Sequence, residues 1–124
     1  MRRGILTGIL VILILVLGYA LYYNLSSPLA MYPGPAKAAL AKGEFDHVVD
    51  VRTDAEWLLG HFPLAIHIPL KQVEQDIVTR IPDKSSKILF YCNTSTRARM
   101  AAEAAQKLGY ANIRYLVGTH ANIM

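Results

Sequence analysis

The sequence predicts a mainly parallel α/β domain preceded by one membrane-spanning helix. Three observations predict it. The 124 residues leave room for one domain. The 33 residues between Arg3 and Lys37 hold no Asp, Glu, Lys or Arg. Beyond them, hydrophobic runs of strand length alternate with one-sided segments of helix length, the pattern of βα units.

The first element is the apolar run Gly4 to Tyr23, GILTGILVILILVLGYALYY. Twenty helical residues at about 1.5 Å each span roughly 30 Å, the thickness of a hydrocarbon core. Tyr19, Tyr22 and Tyr23 close the run, where amphipathic rings favour the headgroup level. Arg2 and Arg3 precede it, so the positive-inside rule keeps the N-terminus cytoplasmic and exports the remainder. Residues 1–23 thus read as a signal anchor. The competing reading is a cleaved signal peptide with Gly18-Tyr19-Ala20 as its small-x-small site. Residues 24–35 (NLSSPLAMYPGP) carry three prolines and no charge, which is linker chemistry.

The domain proper then runs over residues 36–124. Ala36 to Lys42 reads as a short helix closed by Gly43. His47 to Val51 is a buried strand. Thr53-Asp54-Ala55-Glu56 has the form of a capping box, starting a helix that stops at Gly60. Ala65 to Ile68 is a short strand. Lys71 to Arg80 places Val73, Ile77 and Ile81 on one helical face, with Ile81 just beyond the end. Lys87 to Tyr91 is a third strand. Arg97 to Leu108 is an alanine-rich helix whose Ala101, Ala104, Ala105 and Leu108 share a face, with Gly109 placed to end it. Ile113 to Val117 is the last strand. Trp57 reads as core against the sheet.

Composition narrows the function. With 53% hydrophobic and 18% charged residues, a disordered polyelectrolyte is excluded. After residue 3 there are 11 Lys and Arg against 9 Asp and Glu, so the domain is nearly balanced and nothing points to nucleic acid. One cysteine excludes an internal disulfide framework and any multi-cysteine metal site. His47, His61, His67 and His120 share no ligand spacing, so no metal is expected.

The chemistry lies in YCNTSTRARM. Cys92 follows a hydrophobic strand and precedes a helix, the crevice where parallel α/β sheets bind ligands. Free N–H groups at a helix start, with the helix dipole, suit an anion and ease the ionisation of a thiol. Arg97 adds a guanidinium to that loop. Cys92 to Arg97 is C-x4-R, one residue shorter than the C-x5-R of cysteine phosphatases, and so encloses a smaller anion such as the outer sulfur of a persulfide. Asp50, Arg52 and Glu56 read as ion pairs and caps holding the neighbouring loop. His61 reads as a hydrogen-bonded structural residue.

Two segments together resemble the rhodanese family. One is Asp50-Val51-Arg52, Glu56-Trp57, Gly60-His61-Phe62-Pro63, Ala65 and Ile68-Pro69; the other is Tyr91-Cys92 with its C-x4-R loop, alanine-rich helix and Leu108-Gly109-Tyr110. The style is that of small exported single-domain rhodaneses of the phage-shock type. The resemblance implies a mainly parallel five-stranded sheet flanked by helices. It further implies a sulfurtransferase without cofactor, in which Cys92 is the nucleophile and Asn93, Thr94, Ser95, Thr96 and Arg97 bind the substrate. A thiosulfate-like donor and a thiol or cyanide acceptor would be its small partners. Residues 4–23 would hold it in a bacterial inner membrane with the domain facing the periplasm, or signal cleavage would release it there. The alternative is a catalytically weak module for persulfide sensing or protein binding at the membrane. Thr94-Ser95-Thr96 contains no glycine where such loops usually have one; Leu64 and Thr119 also stand where the family pattern has glycine.

Overall fold

The computed structural model describes residues 2–124. Helix α1 spans Arg2–Leu25, and its large apolar side chains from Ile5 to Tyr22 are exposed. It is long and apolar enough to cross a membrane. Five strands follow: β1 (Ala30–Met31), β2 (His47–Asp50), β3 (Ala65–His67), β4 (Ile88–Cys92) and β5 (Ile113–Thr119). They form one sheet in the order β1-β5-β4-β2-β3, and every pairing is parallel.

Helices α2 (Pro33–Ala41), α3 (Asp54–Leu58), α4 (Val73–Arg80) and α5 (Thr96–Lys107) make the crossovers. A 3-10 turn, Leu70–Gln72, leads into α4, and a second, His120–Ile123, follows β5. Two apolar clusters fill the faces of the sheet. Val73 and Ile77 of α4 and Ala98, Ala101, Ala102 and Ala105 of α5 pack with Phe90, Cys92 and Tyr115 on one side. Ala36 of α2 and Ile123 pack with Leu89, Tyr91 and Leu116 on the other. The small alanine side chains let α5 lie close to β4 and β5, and all four are fully buried. Burial on both faces accounts for the unbroken apolar run of β4.

The structure differs from expectation in places with clear causes. Residues 24–35, read above as linker, contain β1 and the first turn of α2. A two-residue strand is too short to show a period in sequence, and Ala30 and Met31 find Tyr115 and Leu116 only through the fold. Pro33 opens α2 at its first position, where the missing N–H would be unpaired anyway. Trp57 belongs to neither core cluster. It is half-buried and stacks on the rings of His61 and His67, with centroids 3.4 Å and 4.8 Å away.

Candidate active site

Strand β4 is the middle of the five, so its carboxyl end opens at the centre of the sheet edge. Cys92 is its last residue and is fully buried. Its pairing partner is Thr119, across an irregularity that begins after Phe90. Asn93, Thr94 and Ser95 then turn the chain into α5. The sulfur accepts a hydrogen bond from the Ala98 amide at 3.3 Å. Ala98 is the third residue of α5, one of the N–H groups that a helix start leaves without an internal partner. The sequence assigns residues 93–97 to the substrate and places the helix start at Arg97, one residue late, so Ala98 is not among the expected site residues.

Arg97 and Asn93 of the loop are both bonded to Glu56 of α3. Arg97 grips Glu56 through two hydrogen bonds, Nη1 to Oε1 at 2.7 Å and Nη2 to Oε2 at 3.0 Å. Asn93 Nδ2 donates to the same carboxylate, and its Oδ1 lies 3.5 Å from Nη1 of Arg52. Glu56 is itself fixed by the predicted capping box with Thr53. Hydrogen bonding from Arg97, helped by the Thr53 amide and hydroxyl, lowers the Glu56 carboxyl to about 2. The pairing raises Arg97 further above its ordinary range. Thr94 is exposed at the tip, and Thr96 is half-buried at the head of α5.

Ser95 carries the strain of this loop. It is the only non-glycine residue with positive φ among the described residues, at 71°, a conformation that side chains disfavour. Its hydroxyl accepts the Gly118 amide of β5 at 2.8 Å, tying the loop to the neighbouring strand. Gly118 in turn has φ +111°, and a Cβ there would lie 2.7 Å from Oδ1 of Asn122. Loop and strand end are thus fitted to each other.

Beneath the loop lies a buried polar network. Asp50, fully buried, receives Arg52 at 2.8 Å and the Tyr91 hydroxyl at 2.6 Å. Tyr91 also accepts the Phe62 amide at 3.0 Å, and Arg52 donates to the Gly60 carbonyl at 2.6 Å. Burial, with the Asp50 carboxylate beside it, pushes the Tyr91 phenol well above its usual value. These groups brace the segment from Gly60 to Phe62 against the sheet. His61 is part of that segment and contacts the Trp57 carbonyl at 3.2 Å. The sequence gives Asp50, Arg52 and Glu56 as ion pairs and caps but does not single out Tyr91, whose place in the unbroken apolar run of β4 marks it only as core.

A buried thiol at the end of a central parallel strand, with a three-residue turn leading into an alanine-lined helix, is a specific arrangement. The sequence profile described as "Rhodanese-like domain" matches residues 33–121. The chain belongs to the rhodanese-like family. Among curated rhodanese relatives, thiosulfate sulfurtransferase PspE of Escherichia coli is 35% identical over 68 residues, covering 55% of this chain and 65% of that protein. A thiosulfate:glutathione sulfurtransferase of Saccharomyces cerevisiae is 28% identical over 83 residues, covering 58% and 60%. The chain therefore spans somewhat less than two thirds of the length of these relatives. Of solved structures, a human single-domain sulfurtransferase, TSTD1, superposes with TM-score 0.68 at 22% identity, over 77% of this chain and 95% of that one. A rhodanese from E. coli solved with anions gives TM-score 0.56 at 33% identity, over 62% and 89%.

Proposed function

We propose that this rhodanese domain is a sulfurtransferase that carries sulfur on Cys92. The observation that carries the reading is the Cys92 sulfur at the mouth of α5, receiving a first-turn amide while the loop side chains are held elsewhere. Such a site offers the Ala98 amide to charge on the sulfur.

In the first half-reaction the Cys92 thiolate attacks the outer sulfur of thiosulfate. The bond between the two sulfurs breaks, sulfite leaves with its electron pair, and Cys92 carries a persulfide anion. In the second half, cyanide or an acceptor thiolate attacks that outer sulfur and takes it, returning the Cys92 thiolate. No net oxidation of the protein occurs. The persulfide charge needs stabilisation that backbone N–H groups of the loop and of Ala98 can give, as donors aimed at a developing anion do. Asn93, Ser95 and Arg97 serve this by fixing the loop, and Thr94 and Thr96 complete it. Helix α1 would hold the domain at the outer face of a membrane.

The test is intact mass after exposure to thiosulfate. Wild type should gain the mass of one sulfur atom, lose it to cyanide or dithiothreitol, and Cys92→Ser should gain none. A folded wild type that never gains sulfur from any sulfane donor defeats the reading.

A further inference from the structure

A cleft of about 450 Å³ lies beside the loop, lined by Arg52, Thr53, Asp54, Lys71, Gln72 and Arg97 among others. Val51 and Leu70 also line it, and both pack in the apolar cluster that contains Cys92. The cleft therefore adjoins the cluster that holds Cys92, which is itself buried behind the lining. Three cations border it, but they are not equivalent. Arg52 is matched by Asp50 at 2.8 Å, and Arg97 by Glu56 at 2.7 Å. Lys71 is exposed and makes no ion pair among the described residues. Asp54, also in the lining, has His67 at 3.7 Å as its ionic neighbour.

We propose that Lys71 is the anion-recognition residue of this site, drawing in sulfur compounds that bear a negative group remote from the reacting sulfur. This rests on the sulfur-transfer reading above. Thiosulfate, whose sulfonate lies beyond the reacting outer sulfur, and a carboxylated thiol share that chemistry. The two arginines are already neutralised by carboxylates and serve the architecture; the residue left to meet a substrate charge is Lys71. Its flexible stem and compact ammonium suit groups of different shape. Because it stands at a rim open to water, its influence should be moderate and weakened by salt.

The test uses the full chain in detergent, as wild type, Lys71→Gln and Lys71→Glu. Alkylation of Cys92 by anionic iodoacetate is compared with alkylation by neutral iodoacetamide. The iodoacetate:iodoacetamide rate ratio should fall about fivefold in Lys71→Gln at low salt, further in Lys71→Glu, and the differences should shrink at high salt. In turnover, KM for thiosulfate should rise by a similar factor, with kcat carrying little of the change. A carboxylated thiol acceptor should show the same rise in KM, and cysteamine, which has no carboxylate, should not. Equal ratios in all three proteins, with turnover intact, would overturn the role of Lys71 and leave sulfur transfer standing. A shifted ratio in a protein that never acquires sulfur would keep the anion site and remove the sulfurtransferase.

Discussion

Arg97 shows how a residue's chemistry depends on what it already holds. A guanidinium in a C-x4-R loop reads from sequence as a free charge for the substrate, yet here both of its arms are on Glu56. On the proposed reading it acts by fixing the loop, and its removal should resemble the removal of its partner. Arg97→Ala and Glu56→Ala are each expected to lower thiosulfate:cyanide turnover on the order of 100-fold, the scale of losing one preorganised donor set. The double variant should be scarcely worse than either, which a double-mutant cycle measures. Independent, multiplying losses would mean that Arg97 touches the substrate itself.

The same pair sets a pH dependence. The Glu56 carboxyl falls from an ordinary 4.5 to about 2 on folding, so the stability it contributes is complete above 4.5 and drains away as pH falls from there to 2. Thermal melting across that window should show a steeper loss in wild type than in Glu56→Gln. Ser95 invites a separate comparison. Ser95→Ala keeps the positive φ and loses the bond from Gly118, costing about 1 kcal/mol. Ser95→Gly loses the same bond but relieves the backbone, so it should be the more stable of the two by roughly 1 kcal/mol. Chemical denaturation of the three proteins decides the order.

At the scale of elements, what could be read in the sequence was whatever repeats or punctuates. The stripe of α5, the Thr53–Glu56 box and the buried run of β4 each carry a period or a cap, and each is present. The site was legible as far as Cys92 and its loop, because strand, polar turn and helix follow one another in the chain. Its supports were not. The Tyr91 hydroxyl and the Gly118 tie depend on β2, β4 and β5 lying side by side, which no local pattern states. Trp57 failed for a related reason: its ring stacks on two histidines whose positions come from separate segments. The contact between loop and strand gives a further expectation. Gly118→Ala must combine a φ of +111° with a Cβ pressed on Asn122, and should cost about 2 kcal/mol. Turnover should fall with it, because the Ser95 hydroxyl loses a well-placed donor; unchanged stability and rate would show the two ends to be uncoupled.

For the whole molecule, the expected orientation follows from charge asymmetry across α1, with Arg2 and Arg3 ahead of it and Lys37 the next cation. Protease added outside the cytoplasmic membrane should digest the domain in spheroplasts. Digestion only after lysis would reverse that topology.

The position of β1 also decides where the chain can be cut. Ala30 and Met31 cover the outer edge of β5, the Tyr115 amide donates to the Leu29 carbonyl at 2.9 Å, and Arg114 reaches the Ala30 carbonyl at 2.9 Å. Cleavage after Ala20 would leave this border intact. Expression from residue 36, the domain start read from the sequence, would strip it and expose an unpaired strand, the usual template for edge-to-edge association. A soluble version beginning at Ser26 should stay dispersed in light scattering where one beginning at Ala36 clusters. The short stretch between α1 and the domain is thus the selvedge of the sheet, and trimming it frays the fabric.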